Sequence, residues 1–396
     1  MGFTDNVKAR KSAERVLMGP GPSNVDPRVL RAMSEPTIGH LDPDFLEIMN
    51  DTMSLLRFVY QTENVLTLPM SGTGSAGMET CFVNLLEPGD RAVVCVNGVF
   101  GQRMSDVARR CGAEVHEVKA PWGKPIDPDD VRKALGARGA KVVAFVHAET
   151  STGVLQPPEP IVEAAHDAGA LVIMDAVTSL GGVDVPVDRV GADVVYSGTQ
   201  KCLSCPPGLS PVTVNERAAR LIRERKTPVQ SWYLDLSMIQ RYWGQERFYH
   251  HTAPINMIYA LNEALTIIRE EGLGPRFERH RRNASALHAG LEAMGLKLLV
   301  QPEYRLPSLT TVEIPEGVGD LDVRKRLLAE FKIEIGGGLG DLKGKVWRVG
   351  LMGHTSTKNN VLLFLSALEA VLRSLGYRVS PGVGVAAASE RYSQQA

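Results

Sequence analysis

The sequence predicts an α/β protein: a large domain built on one mostly parallel sheet, followed by a smaller α/β domain. Three observations carry this. Short β-branched runs recur, helical stretches alternate with them, and the pattern changes after about residue 275. RAVVCVN, KVVAFVH, ALVIMDA and DVVYSG show no polar alternation, as strands buried on both faces of a parallel sheet require. QRMSDVARRCG, DPDDVRKALGARG and PPEPIVEAAHDAG lie between them with helical spacing. Strand–helix alternation of this kind builds right-handed βαβ units.

In chain order, residues 1–25 read as an irregular arm ending in the turn-rich MGPGPSN. Residues 26–275 form the large domain, with MIYALNEALTIIREEG as a long helix near its end. Another long helix, GPRFERHRRNASALHAGLEAMG, leads into the small domain, residues 276–380. There SLTTVEIP and KVWRVGL read as strands and NNVLLFLSALEAVLRSLG as the last helix. Residues 381–396, PGVGVAAASERYSQQA, read as a flexible, loosely held tail. No internal repeat interrupts this order.

A chain of 396 residues, 44% of them hydrophobic, can bury one large core or two adjoining ones. A net charge of −1 gives no electrostatic reason for a nucleic-acid or anionic-membrane partner. No apolar run reaches the ~20 residues of a membrane span. The opening MGFTDNVKARKSAERV has no signal-peptide core, and the closing SQQA is not a peroxisomal tripeptide. A cytoplasmic protein is expected. The odd set Cys81, Cys95, Cys111, Cys202 and Cys205 reads as reduced thiols.

The chemistry starts with SGTGSAG, residues 71–77. Its Gly72, Gly74 and Gly77 have GxGxxG spacing, which fits a dinucleotide or any phosphate held at a helix N-terminus. Asp175 ends the apolar run of ALVIMDA, and in a parallel sheet that end faces the ligand crevice. Its buried carboxylate calls for a cationic partner, unless it is only a turn or capping residue. Lys201 follows the next strand, DVVYSGTQ, and precedes CLSCPPG, so no amphipathic face accounts for it. A lysine, a carboxylate and a phosphate loop suit pyridoxal 5'-phosphate: a Schiff-base amine, a partner for the pyridine nitrogen and a phosphate cup. A dinucleotide would call for an acid at the end of the strand after the glycines. That strand, RAVVCVN, runs into GVFGQ with none.

SGTGSAGMET, NGVFGQR, ETSTGVLQP, MDAVTSLGG, YSGTQKCLSCPPG, YHHT and KVWRVGL occur in the order found in the class V aminotransferases, over residues 15 to 376. The chain resembles most the alanine–glyoxylate and serine–pyruvate branch of that family. The resemblance implies fold type I, with a seven-stranded sheet in the large domain, and a homodimer with active sites at the subunit interface. It implies that Lys201 forms the Schiff base and that Asp175 partners the pyridine nitrogen. Thr150 matches a hydroxyl near the cofactor's ring oxygen. Gln200 with Thr73, Gly74 and Ser75 match phosphate ligands, and Tyr249 and Thr252 match phosphate contacts from the other subunit. Phe100 stands where this branch often has a tryptophan stacked on the ring. Arg348 matches the arginine that holds the substrate carboxylate, a task suited to a planar fork of donors.

The implied activity is transfer of an amino group from alanine or serine to glyoxylate or pyruvate. A ureidoglycine–glyoxylate aminotransferase shares the scaffold and stays open. A cysteine desulfurase is disfavoured, because no cysteine follows Cys205 to carry a persulfide. From other classes, a non-catalytic binding module and an NAD-dependent oxidoreductase are weaker alternatives. No metal site is expected. Cys202 and Cys205 form a single CxxC without a second pair, and the adjacent His250 and His251 would point apart on a strand. His40 is read as near the substrate or structural.

Overall fold

A computed structural model describes residues 13–395. Its central sheet has seven strands. Across the sheet they run Leu66–Ser71, Leu209–Val214, Val194–Tyr196, Leu171–Asp175, Val142–Val146, Arg91–Val96 and Glu114–Lys119. The last five pair in parallel. Leu209–Val214 is antiparallel to both of its neighbours. The strands Val142–Val146, Leu171–Asp175 and Val194–Tyr196 are buried at every position, which explains their unbroken apolar sequences. Paired in parallel, their carboxyl ends lie side by side, the end of such a sheet where a ligand crevice forms.

Among the described residues two large hydrophobic cores stand beside a small third cluster around Cys202 and Leu309. One runs from Val29 to Ile268 and fills the large domain. The other joins Met18 of the arm to residues between Ala286 and Tyr392. The helix Leu273–Ala293 bridges them, with Phe277 buried near its start and Leu287 and Leu291 in the second core. In the small domain Val346–Gly350 is the middle strand, antiparallel to Leu309–Glu313 and to Gly336–Gly337.

Residues 1–12 of the expected arm lie outside the described residues. From Val16 the arm is tied in: Val16–Leu17 pairs in parallel with Ile333–Glu334, and Gly350 N–H donates to the Met18 carbonyl. The expected loose tail is instead a helix, Val383–Gln394. Gly290 and Gly384 let this helix cross Leu273–Ala293 closely, since a Cβ on Gly290 would stand 2.8 Å from the Gly384 carbonyl oxygen. Tyr392 is buried and its hydroxyl donates to Asn283 at 2.7 Å, while Glu369 accepts from Gly382 N–H at 2.7 Å. Small residues that looked featureless in sequence are what permits the approach. Among the described residues no helix is long and apolar enough to cross a membrane.

Candidate active site

Asp175 closes its strand at the crevice and is 2% exposed. It pairs in register with Tyr196 of the neighbouring parallel strand. Tyr196 donates its hydroxyl to Asp175 Oδ2 at 2.6 Å, and Val177 N–H donates to Oδ1 at 2.8 Å. Burial still pushes the carboxyl up to about 6, with Glu149 adding to the rise and Lys201 opposing it. Two neutral donors hold this carboxylate in place without supplying the positive charge that would keep it fully ionised.

Lys201 is 7% exposed and is enclosed by the arm. Ser23 N–H donates to the Gln200 carbonyl at 2.9 Å, and Ser23 Oγ donates to the Lys201 carbonyl at 2.7 Å. The Lys201 amine donates to the Pro20 carbonyl. Gly21, at φ +103°, has no room for a side chain: a Cβ there would lie 2.6 Å from Lys201 Cδ and 2.7 Å from Nζ. Burial, reinforced by the Arg348 charge, lowers the amine to about 8 against the opposing effects of Cys202, Asp175 and Glu149. A neutral amine can act as a nucleophile or a base. The rate at which an added aldehyde such as pyridoxal phosphate forms an imine with this amine should therefore rise about tenfold per pH unit below pH ~8 and then level off. Stopped-flow absorbance checks this; a rate flat from pH 6 to pH 9 would contradict the lowered amine.

The SGTGSAG loop has a different use for each glycine. Gly72 bends the chain at φ +134°. Gly74 lies against the segments that follow the strands Leu171–Asp175 and Val194–Tyr196: its Cβ would lie 3.3 Å from Val177 Cγ2 and 3.6 Å from Gly198 Cα. Gly77 lets the helix Gly74–Leu85 rest on the sheet, where a Cβ would meet Ser210. Thr73 is the N-cap residue but makes no side-chain cap bond; Ala76 N–H donates to the Thr73 carbonyl at 2.7 Å, which leaves the Gly74 and Ser75 amides for an anion. Ser75 Oγ accepts from Arg103 at 3.4 Å. Gln200 has its Oε1 buried with no hydrogen-bond partner. An amide can present either end, so an anion there would satisfy it.

Arg348 sits in the middle strand of the small domain and is 6% exposed. Its Nε donates to the Gly337 carbonyl at 2.8 Å and its Nη1 to the Thr150 carbonyl at 3.2 Å. Among the described residues no carboxylate forms an ion pair with it. Burial lowers it to about 10, so it stays cationic at neutral pH. A desolvated guanidinium held only by carbonyls is a receptor for a carboxylate that comes with a ligand. The Gly336 neighbour leaves space beside it: a Cβ there would press on Pro20 at 2.5 Å and lie 3.6 Å from Arg348 Nη2.

The fold thus gathers Thr73, Gly74 and Ser75 beside Asp175, Gln200 and Lys201, and brings Thr150 against Arg348. The Thr150 hydroxyl also meets that of Thr178. Phe100 stands in the first turn of the helix Val99–Arg110, half-buried, with Arg103 5.0 Å from its ring centroid. Tyr249 and Thr252 stay outside the cluster: both are exposed, their hydroxyls are 3.5 Å apart, and Tyr249 packs on His40 at 5.0 Å. Cys202 and Cys205 are buried thiols, and no metal-binding cluster occurs among the described residues. His250 and His251 correct an expectation: they lie on no strand, and their Nδ1 atoms are 2.7 Å apart.

Sequence reasoning missed four contributors. Tyr196 lies on the strand before Lys201 and was read only as part of a buried run. Pro20 and Gly21 were read only as a turn. Glu149, fully buried, accepts from the amides of Phe100 and Gly101 at the open end of their helix, and from Ser151. Burial raises its pKa, and the helix N-terminus favours its charge. A charged residue inside ETSTG, flanked by apolar runs, was the available signal.

The sheet order, the second domain and a lysine–aspartate pair at the crevice define fold type I of the pyridoxal phosphate-dependent transferases. A solved ureidoglycine–glyoxylate aminotransferase from Bacillus subtilis superposes with a TM-score of 0.95 at 44% identity, covering 98% of this chain and 100% of that one. An alanine–glyoxylate aminotransferase from Nostoc sp. superposes with a TM-score of 0.92 at 50% identity, covering 94% and 100%. The alanine–glyoxylate aminotransferase of Mus musculus is 41% identical over 91% of this chain and 88% of its own length. The family profile described as Aminotransferase class-V matches residues 15–361. The chain belongs to the class V aminotransferases and is a transaminase.

Proposed function

We propose that this transaminase uses pyridoxal 5'-phosphate to move an amino group from a small amino acid, alanine or serine, to glyoxylate or pyruvate. The observation that carries the reading is the buried set Lys201, Asp175 and Arg348, in which the guanidinium has no acidic partner among the described residues. The unpartnered Gln200 oxygen and the uncapped helix start fit the cofactor's phosphate. Thr73, Gly74, Ser75 and Gln200 would hold that phosphate, Asp175 the ring nitrogen, Thr150 the ring oxygen side and Phe100 a ring face. When bound, the cofactor supplies an electron sink that acidifies the α-carbon of the amino acid joined to it.

The chain's own residues do the rest. Arg348 holds the substrate carboxylate and so fixes which bond at the α-carbon faces Lys201. Lys201, as an amine near neutrality, would take the α-proton and return it to the cofactor's C4′ carbon. The Pro20 carbonyl gives that amine a fixed acceptor between turns. Asp175 keeps the ring nitrogen cationic, and the closed arm limits water. Replacing Arg348 by alanine should raise the amino-acid KM roughly 10- to 100-fold while leaving the cofactor spectrum normal. Steady-state kinetics decide it; an unchanged KM for every carboxylate substrate would reject the contact.

A panel of donors and acceptors on purified protein tests the substrate reading. Fast alanine–glyoxylate or serine–glyoxylate exchange supports it, and activity confined to ureidoglycine would replace it. The Bacillus relative, a (S)-ureidoglycine–glyoxylate transaminase at 43% identity, makes this the second reading.

The dimer belongs to the same proposal. Trp232, Tyr233, Phe248 and Tyr249 are exposed aromatic residues on segments packed together through His250 and His251, a face suited to a second copy. Tyr249 and Thr252 would then reach the partner's phosphate. Mixing a Lys201→Ala protein with a Tyr249→Ala/Thr252→Ala protein should restore about a quarter of wild-type activity, because each heterodimer rebuilds one intact site. No recovery after exchange confirmed by tags would place these contacts within one chain or away from the cofactor. A cytoplasmic setting fits the five buried free thiols.

A further inference from the structure

His250 and His251 form part of a polar chain that ends at the phosphate loop. The His250 ring stacks on Trp232, with centroids 4.2 Å apart, and its Nε2 lies 3.2 Å from the Trp232 carbonyl oxygen. Its Nδ1 faces His251 Nδ1 at 2.7 Å. His251 Nε2 lies 2.8 Å from Ser71 Oγ. The Tyr233 and Tyr242 rings stand 4.9 Å and 6.2 Å from the His251 ring and fix its plane. Ser71 ends the strand Leu66–Ser71 and leads directly into Gly72.

The hydrogen positions follow by elimination. A carbonyl oxygen only accepts, so His250 Nε2 carries its ring's hydrogen. In a neutral ring that leaves His250 Nδ1 as an acceptor, and His251 Nδ1 must donate to it. His251 Nε2 is then the acceptor, and the Ser71 hydroxyl donates. Burial, helped by His250, lowers His251 to about 4, which keeps its ring neutral at neutral pH. Every polar atom from Ser71 to Trp232 is satisfied, and the chain runs in one direction.

We propose that His251 is a positioning residue for the cofactor phosphate: as acceptor for Ser71, it anchors the entry of the loop 71–75 to the segment 249–252. The proposal rests on reading that loop as the phosphate cup. Beyond Ser71 the backbone is held by one ladder bond, from Gly72 N–H to the Gly208 carbonyl at 2.9 Å, at a glycine with φ +134°. The His251 anchor removes the freedom that such a bend leaves.

Two measurements test it. Neutron diffraction at neutral pH should show hydrogen on His251 Nδ1 and His250 Nε2, with none on His251 Nε2. Hydrogen on His251 Nε2 would overturn the proposal. Cofactor-free protein is then titrated with pyridoxal phosphate and, separately, with pyridoxal. His251→Phe and Ser71→Ala should each weaken pyridoxal phosphate about five- to tenfold and change pyridoxal by less than about twofold. His251→Gln, which can set an amide oxygen near the Nε2 position, should stay within about twofold of wild type. Equal losses for both ligands, or no loss for either, would overturn the role of His251. Wild-type protein that binds no pyridoxal phosphate would overturn the phosphate-cup reading, and the proposal with it. Should the Phe variant not fold, Ser71→Ala and the neutron map decide alone.

Discussion

Lys201→Ala should lose about 10⁴-fold or more of its transamination rate. Proton transfer by a positioned base contributes about 10²–10⁴-fold, and covalent capture of the cofactor is lost with it. No other group can take over. Asp175 is held by Tyr196 and Val177 N–H, and Arg348 faces two carbonyls. Truncation leaves space beneath Gly21 rather than a clash, so the fold and weak non-covalent cofactor binding should survive, as circular dichroism and dialysis can check. Borohydride treatment followed by peptide mapping should find the cofactor on Lys201 in the wild type and on no lysine in the variant. A reduced cofactor link in the variant would sink the assignment.

Asp175→Asn should slow the amino-acid half-reaction by roughly 10- to 100-fold while changing amino-acid binding far less. The loss corresponds to a charged hydrogen bond of about 1.5–3 kcal/mol that strengthens as charge builds on the ring. The substitution is gentle on structure. The asparagine oxygen can still accept from Val177 N–H, and the Tyr196 hydroxyl can turn to accept from the new amide. A low rate in a well-folded variant would therefore report the missing charge. Single-turnover kinetics separate rate from binding, and a rate within twofold of wild type would count against the role.

Much of the architecture was legible because its causes are local. Unbroken apolar runs at RAVVCVN, KVVAFVH and ALVIMDA mark strands covered on both faces. The expected helices appear at Val99–Arg110, Pro128–Arg138, Glu159–Asp167 and Lys358–Ser374. The candidate site residues stand out in the sequence for a related reason. Asp175 and Lys201 interrupt or follow buried runs where a charge has no structural use, and the glycines of SGTGSAG stand where side chains do not fit. The tail misled because alanines and glycines carry no periodic apolar signal of their own. Their helix exists through Tyr392 and the close crossing at Gly290.

By itself, then, the sequence determined the strands and the helices between them and singled out the side chains proposed as reactive, since burial and backbone freedom are written residue by residue. Only the tertiary structure decided what those side chains meet. Tyr196 reaches Asp175 because two parallel strands lock in register. Pro20 closes over Lys201 from 181 residues away, and Arg348 crosses from the second domain to the Thr150 carbonyl, 198 residues distant. His250 and His251 turn toward each other because the Trp232 carbonyl and Ser71 hold the two ends of their chain. Contacts of this kind join groups whose local sequences are independent of one another, so packing and hydrogen-bond satisfaction across the folded chain, rather than any run of residues, select them.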